Sequence, residues 1–177
     1  MNGKADVRKK IRARLTFDAP ERARRSAALC EMIRQDMAWA CAHTIALFAP
    51  QGTEPDVELL WAVASKSFCY PRVGDGALDF LRVIDRFALA VGRWNIREPA
   101  FAAADLVAPE EIDLILIPGV AFTLKGERLG RGGGYYDRFL ARVGLRAVKL
   151  GICFKEQLLE DLPIESHDAR VDRVLAG

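Results

Sequence analysis

The chain has 177 residues, of which 51% are apolar and 28% charged, and its formal net charge is +2. This length allows one domain with a sizeable core and leaves little room for a second, and so small a charge argues against general nucleic-acid binding. Four well-separated cysteines with no histidine at metal spacing, and no apolar run near the roughly 18 residues that span a bilayer, lead us to expect a soluble cytoplasmic protein without a zinc site or disulfide framework.

The first segment, residues 4–15, has the pattern of a basic amphipathic helix. Two lines recur along it at four-residue spacing, an apolar line of Val7, Ile11 and Leu15 and a basic line of Lys4, Arg8 and Arg12. The basic line is either a solvated helix face or a set of donors that reaches a phosphate site. A second helix is predicted over about 19–38, because Asp18, Pro20 and Glu21 have the order of a capping box with proline in the first turn.

An unbroken apolar run over 44–48 predicts a buried strand of a parallel sheet. The loop 49–56 leaves the carboxyl end of that strand, where open α/β sheets bind ligands. Glu54 in this loop is placed to accept hydrogen bonds from a polar heterocycle, or it is simply a first-turn acid of the helix predicted over 57–64.

The next segments predict an antiparallel part of the sheet. A strand over 67–71 is followed by the turn residues of 74–76 and a second strand over 78–83, which is the pattern of a hairpin. The irregular segment 92–99 contains Trp94, which is either a hydrophobic plug or a ring that stacks on a flat ligand.

A glycine-rich loop lies between a predicted strand at 114–117 and a predicted helix at 136–143. Its glycines allow positive φ and let an anion approach main-chain N–H groups, while the helix adds the positive end of its dipole. Arg128 and Arg131 add fork-shaped donors for phosphate oxygens. The loop matches neither common phosphate-loop motif, so it is either an unusual polyanion site or a flexible surface turn.

The C-terminal part predicts a buried strand over 147–153, a short helix beginning at 154, and a polar tail. Asp168 and Asp172 in the tail are either plain surface acids or carboxylates that hold Mg²⁺ beside phosphate oxygens.

Several separated motifs together resemble the 5-formyltetrahydrofolate cyclo-ligase family. The shared segments are the Lys-x-x-x-Arg start, the Glu54 loop, Tyr70-Pro71-Arg72, Trp94-Asn95-Ile96, Pro118 to Phe122, Gly126 to Asp137, Phe154 to Gln157, and Val171 to Val174. Their order and their spread over nearly the whole chain argue against chance. The resemblance implies a single α/β domain over 1–177, a three-layer α/β/α arrangement with a mixed, largely parallel sheet.

The resemblance also implies roles for individual residues. Those expected to contact ATP are Lys4, Arg8, Arg128, Gly130, Arg131, Gly132, Gly133, Gly134, Tyr135 and Tyr136. Those expected to bind the folate substrate are Ala49, Glu54, Trp94, Arg131, Gly132, Gly133, Gly134 and Tyr135. Asp137 and Asp172 match the positions that hold Mg²⁺, and Arg128, Arg131 and Tyr135 are the expected catalytic residues.

The implied reaction is the ATP- and Mg²⁺-dependent conversion of 5-formyltetrahydrofolate to 5,10-methenyltetrahydrofolate, with release of ADP and phosphate. Transfer of the γ-phosphoryl group to the formyl oxygen would create a good leaving group, and N10 would then close the ring. Such a site works by positioning and charge neutralisation, so no covalent nucleophile is required.

Two other functions use the same residues. A non-catalytic folate- or nucleotide-binding regulator would bind without turnover, and a small-molecule kinase would release a phosphorylated product without ring closure. In each case the expected partners are small molecules rather than nucleic acid or membrane, and the expected state is a monomer or weak homodimer.

Overall fold

Three helices precede the first strand of the chain. A computed structural model describes residues 3–62, 65–102, 105–142 and 144–177. Helix α1 spans Lys4–Arg14, α2 spans Ala19–Arg34 and α3 spans Met37–Cys41, and strand β1 follows over Thr44–Ala46. The predicted N-terminal helix and the first predicted strand are therefore confirmed.

The long helix predicted over 19–38 is two helices rather than one. Asp18 caps the first as expected, because its carboxylate accepts the Glu21 N–H at 2.7 Å. Asp36 caps the second by accepting the Ala38 N–H at 2.8 Å. An aspartate side chain competes for backbone donors and favours a cap over a helix interior, so the chain restarts at this position.

The predicted hairpin is formed by β2 over Ser67–Gly74 and β3 over Ala77–Val83. Its two turn residues, Asp75 and Gly76, both have positive φ, 44° and 80°. A two-residue hairpin turn of this kind matches the twist of the strands and selects aspartate and glycine.

The remaining regular elements are short apart from two strands of the main sheet. They are β4 (Ala90–Val91), β5 (Arg97–Glu98), β6 (Leu106–Val107), β7 (Leu114–Pro118), β8 (Ala121–Phe122), β9 (Arg128–Leu129), α4 (Tyr135–Leu140), β10 (Val148–Cys153) and β11 (Arg173–Ala176). A six-residue 3₁₀-helix covers Val57–Ala62, and single 3₁₀ turns cover Arg86–Ala88, Arg93–Asn95, Pro109–Glu111 and Lys155–Gln157. None of the helices in the described ranges is long and apolar enough to cross a membrane.

Two predicted helices are shorter than their patterns suggested. The helix expected over 57–64 is a 3₁₀-helix over Val57–Ala62, and residues 63 and 64 lie outside the described residues. The helix expected over 136–143 begins at Tyr135 and ends at Leu140, and residue 143 also lies outside the described ranges.

Seven strands form one sheet in the order β11, β10, β7, β1, β2, β3, β6. The first five are mutually parallel, and β3 lies antiparallel to both β2 and β6. This arrangement confirms the mixed, largely parallel sheet. The carboxyl ends of β1, β2, β7 and β10 consequently meet at one edge.

Helices cover both faces of the sheet. Leu114 and Leu116 of β7 point into a buried cluster with side chains of α2 and α3. Ile115 and Ile117 point to the opposite face, where they share a second cluster with α4. Alternate residues of one strand thus enter two cores, and the expected three-layer α/β/α arrangement is confirmed.

Candidate functional site

A cleft of about 490 Å³ opens at the carboxyl edge of the sheet. Phe48 and Ala49 reach it from the end of β1, Pro71 and Val73 from β2, and Pro118 from the end of β7. Ala49, which the family resemblance predicts to contact the substrate, therefore lines this cleft. The position agrees with the rule that open α/β sheets bind ligands beyond the carboxyl ends of their strands.

The glycine-rich loop forms one wall of this cleft between β9 and α4. Gly132 and Gly134 have φ of 112° and 65°, values that residues other than glycine rarely adopt. Gly130, Gly133 and Gly134 line the cleft, and Gly134 is the residue immediately before α4. The predicted strand, loop and helix are present, with positive φ at two of the four glycines.

Arg128 and Asp137 form a buried ion pair at the floor of the cleft. The Arg128 Nη2 donates to Asp137 Oδ1 at 2.6 Å, and only 3% of the arginine side chain is exposed. Asp137 Oδ1 also accepts the Ala169 N–H at 3.2 Å. The Arg128 Nε is buried and has no hydrogen-bond partner among the residues that the structure describes. The floor therefore carries a fixed guanidinium with unused donor capacity.

A second ion pair joins Glu54 to Arg131 across the site. Arg131 donates to Glu54 Oε1 from Nε at 3.1 Å and from Nη2 at 2.7 Å, and the Gln51 N–H donates to Oε2 at 2.9 Å. Both residues also line a smaller cavity of about 250 Å³ beneath α1. The pair thus lies between the two cavities and lines both of them. Each Glu54 oxygen already accepts a hydrogen bond from a protein donor.

Trp94 and Tyr135 form an aromatic wall at the mouth of the cleft. Their ring centroids lie 5.5 Å apart with a 55° tilt, and Trp94 is 59% exposed. So high an exposure is inconsistent with the reading of Trp94 as a hydrophobic plug. An open indole beside a tyrosine is suited to stacking on a flat heterocycle.

Tyr136 gives the cleft a neutral hydroxyl. Burial raises the pKa of Tyr136 above its ordinary value, so the phenol stays protonated at neutral pH. This hydroxyl has no hydrogen-bond partner within the described part of the chain. A buried donor without a partner is costly, and a ligand oxygen in the cleft would satisfy it.

The basic line of α1 is divided between two surroundings. Arg8 Nε donates to the Gly130 carbonyl at 2.9 Å, so this residue does reach the glycine loop. Lys4 Nζ lies 2.7 Å from Asp168 and 3.2 Å from Glu165, and it lines neither cavity. Asp168 is accordingly engaged with Lys4 rather than standing as a plain surface acid.

Asp172 lies away from the cleft. It immediately precedes β11, at the amino end of that strand, where its carboxylate accepts the Lys149 N–H at 2.7 Å. Asp137 lines the cleft and Asp172 does not, so the structure does not bring the two expected Mg²⁺ ligands together there. In the ranges that the structure describes, no group of three or more His, Cys, Asp or Glu side chains could hold a metal. Asp137 fits the role of the one protein carboxylate that a Mg²⁺ ion needs when phosphate oxygens supply the rest.

Some residues of the site were not assigned from the sequence. The apolar floor is contributed by Phe48, Pro71, Val73, Leu78 and Ile96. Pro71 and Ile96 lie in segments shared with the family, whereas no local signal distinguishes Phe48, Val73 and Leu78 from ordinary strand and loop residues. Arg12, which lines both cavities, did have a signal, since it continues the basic line by one helical turn.

The fold and the cleft define a class of protein. A fixed guanidinium beside a glycine loop suits a phosphorylated or otherwise anionic group, and the adjacent aromatic wall suits a flat ring. The chain is thus an α/β protein whose cleft is built for small anionic and aromatic molecules.

Comparison with known proteins identifies the family. The model of the 5-formyltetrahydrofolate cyclo-ligase family matches residues 1–177, and the chain belongs to that family. The mouse 5-formyltetrahydrofolate cyclo-ligase is 30% identical over 186 residues, which cover 97% of this chain and 90% of the mouse protein. The protein of the same name from Escherichia coli K12 is 32% identical over 142 residues, covering 76% of this chain and 78% of that protein.

A solved structure agrees with this assignment. The NMR structure of 5,10-methenyltetrahydrofolate synthetase from Aquifex aeolicus superposes with a TM-score of 0.86 at 33% identity, covering 98% of this chain and 89% of that chain. The chain is therefore an enzyme of the ligase class.

Proposed function

We propose that this enzyme converts 5-formyltetrahydrofolate to 5,10-methenyltetrahydrofolate and consumes ATP in doing so. The observation that carries the proposal is that one cleft holds both the buried Arg128–Asp137 pair and the Trp94–Tyr135 wall. An anion site and a stacking site side by side suit a phosphoryl group and a pterin ring in contact. The names of the mouse and Escherichia coli relatives support the same reaction.

The chemistry has two steps. The formyl oxygen attacks the γ-phosphorus, the bond from that phosphorus to the β-bridging oxygen breaks, and ADP leaves. N10 then attacks the formyl carbon, the carbon–oxygen bond breaks, and the oxygen departs as part of inorganic phosphate while N10 loses its proton. Both steps need alignment and charge neutralisation rather than a covalent nucleophile, in keeping with the arginines of this site.

Glu54 and Arg131 have linked roles in this proposal. Both Glu54 oxygens already accept hydrogen bonds, so a folate N–H that binds Glu54 must displace a protein donor. The donor on the open side is Arg131, whose side chain is half exposed. Folate binding would then release the Arg131 guanidinium to face the phosphoryl group. Substrate binding and assembly of the catalytic charge are thereby coupled.

The nucleotide is proposed to lie along the glycine loop beside Arg8, with Lys4 at its far end. Lys4 is paired with Asp168 and Glu165, so its contact with a phosphate requires that it exchange these partners. Asp137 would supply a carboxylate ligand for Mg²⁺ bound with the nucleotide, and the ion would supply positive charge near the transferred group. The remaining expected contacts are Gly130, Gly132, Gly133, Gly134, Tyr135 and Tyr136.

We take residues 1–177 as one catalytic domain that works as a cytoplasmic monomer or weak homodimer. All of the proposed site residues belong to one chain, so specific activity is expected to be the same in the monomer and the dimer and thus independent of protein concentration.

The direct test is turnover by the purified protein with 5-formyltetrahydrofolate, ATP and Mg²⁺. The methenyl product is measured by its near-ultraviolet absorbance. The expected result is one molecule of this product for each ADP formed, and no product when any component is left out. Folded protein that gives no methenyl product would contradict the proposal. ADP with an uncyclised phosphorylated product would indicate a kinase, and binding of both ligands without turnover would indicate a regulator.

A further inference from the structure

Helix α1 carries a third basic residue on the side that faces the site. Four residues of an α-helix rise about 6 Å, so Lys4, Arg8 and Arg12 form a row of charges at that interval. Lys4 contacts Asp168, Arg8 contacts the glycine loop, and Arg12 lines both the larger and the smaller cavity. The row therefore ends inside the site.

Arg12 differs from Arg8, Arg128 and Arg131 in having no hydrogen-bond or ion-pair partner within the described residues. Arg128 is paired with Asp137, Arg131 with Glu54, and Arg8 with a backbone carbonyl. The Arg12 side chain makes no hydrogen bond or ion pair within residues 3–62, 65–102, 105–142 and 144–177. Its whole fork of donors is available for a bidentate contact with phosphate oxygens.

We propose that Arg12 binds the γ-phosphoryl group of ATP, an inference that rests on the proposed function. The group that passes from nucleotide to folate must lie between the glycine loop, where Arg8 lies, and the wall formed by Trp94 and Tyr135. Arg12 lines the same cavity as this wall, whereas Lys4 lines neither cavity. The basic row consequently presents its Arg12 end to the folate and its Lys4 end to the rest of the nucleotide.

A contact with the γ-phosphoryl group has a distinctive signature, because ADP lacks that group. We would measure binding of MgADP and of the magnesium complex of the β,γ-imido analogue of ATP by titration calorimetry. The variants are Arg12→Ala, Arg12→Lys and, as a matched control, Arg14→Ala. Arg14 is an exposed arginine on the same helix that lines neither cavity.

We expect Arg12→Ala to raise the Kd of the imido analogue by about tenfold to a hundredfold, the range for loss of a charge-assisted contact. The Kd of MgADP should stay within about twofold of the wild-type value. Arg12→Lys should recover part of the loss, because an ammonium restores the charge without the fork. Arg14→Ala should bind both nucleotides as wild type does. Melting temperatures of the free proteins confirm that each variant is folded.

Equal weakening of the two nucleotides, no weakening of either, or no binding of nucleotide to wild type would overturn the inference. Because these titrations contain no folate, they are independent of turnover. Suppose that Arg12→Ala selectively weakens binding of the triphosphate analogue but the wild type never forms the methenyl product. The Arg12 contact would then stand, and the proposed folate reaction would be wrong. A wild type that turns over, with an Arg12→Ala variant that fails to separate the two nucleotides, would remove the Arg12 contact alone.

Discussion

Glu54 is a residue at which the free enzyme and the proposed complex must differ, because its contacts in the free enzyme leave no oxygen without a donor. Its two carboxylate oxygens accept hydrogen bonds from Arg131 and from the Gln51 N–H. The side chain is therefore held in place, and neither oxygen is without a donor. A substrate contact at Glu54 is therefore an exchange of one donor for another. The free energy of that exchange depends on the negative charge of the carboxylate.

We predict that Glu54→Gln raises the KM for 5-formyltetrahydrofolate by about tenfold to a hundredfold and leaves the KM for ATP within about twofold. The isosteric amide keeps the shape of the side chain and loses a charge-assisted acceptor, which contributes about 1.5–3 kcal/mol. Steady-state kinetics with each substrate varied in turn would measure both constants. Glu160→Gln, at an exposed acid outside both cavities, is the control. A larger effect on ATP than on folate would contradict the assignment.

The Arg128–Asp137 pair makes a second prediction at this scale. Each single alanine variant leaves the other charge without its partner, so Arg128→Ala and Asp137→Ala should each destabilise the protein. The double variant should lose less than the sum of the two, by about 1–3 kcal/mol of coupling. Urea unfolding of the four proteins gives this value. Additive losses would show that the pair is not coupled.

At the scale of elements, α1 is attached to the body by few side chains. Val7 and Ile11 form its buried face, and together with Leu15, the residue after the helix, they cluster with Leu129 and Phe154. This cluster is separate from the two cores that sandwich the sheet. The helix that presents Arg8 and Arg12 to the site therefore depends on a small apolar contact of its own.

We predict that Ile11→Ala destabilises the protein by about 2–4 kcal/mol, because Ile11 is fully buried and its truncation leaves a cavity. Amide hydrogen exchange should rise most in α1, and the KM for ATP should increase while the KM for folate changes less. Ile11→Val, which removes one methylene, should cost about 0.5–1.5 kcal/mol and keep the ATP kinetics. Uniform acceleration of exchange over α1 and the sheet would contradict a separate attachment of α1.

At the scale of the whole molecule, Arg25 joins parts of the chain that are distant in sequence. Its guanidinium binds both Glu156 oxygens at 2.9 and 2.7 Å and the Gly177 carbonyl at 2.9 Å, and it lies over the rings of Phe17 and Phe154. Helix α2 is thereby fixed to the turn after β10. These hydrogen bonds lower the pKa of Glu156 from its ordinary value of 4.5, against an opposing effect of burial.

The lowered pKa gives a prediction with a definite sign. A carboxyl group whose folded-state pKa is depressed contributes stability that is present above its unfolded pKa and is lost as pH falls through the folded pKa. Glu156→Gln should therefore be less stable than wild type at neutral pH, and the gap should close as the pH falls below 4.5. Urea midpoints over a pH series would show this, with Glu160→Gln as the control. A gap that stays constant on acidification would exclude the ionised pair as its cause.

Features with a local cause could be predicted from the sequence. The β2–β3 hairpin follows from the turn chemistry of Asp75 and Gly76, and the start of α2 follows from Asp18. The strand β7 and the glycine loop could also be predicted, because an apolar run and a cluster of glycines are local signals. The break before α3 also had a local signal, Asp36, which the prediction of one helix over 19–38 did not use.

Contacts between distant segments could not be predicted in the same way. Lys4 and Asp168 are separated by 164 positions, and Glu54 and Arg131 by 77. Whether such residues meet depends on the order of the strands, which periodicity leaves open. The position of Asp172 shows the same limit, because its place at the amino end of β11 beside Lys149 follows only from the register of β10 and β11.

The exposure of Trp94 has a practical consequence, since the chain has three tryptophans in very different surroundings. Trp39 is buried against the sheet and Trp61 stacks on Phe68, so their emission reports only on the integrity of the fold. Trp94 faces solvent beside the cleft, and a ring that stacks on it would quench or shift its fluorescence. Titration of the unlabelled enzyme in a fluorimeter, with Trp94→Phe as a reference that keeps only the emission of Trp39 and Trp61, would thus report occupancy of the cleft without added dye or turnover.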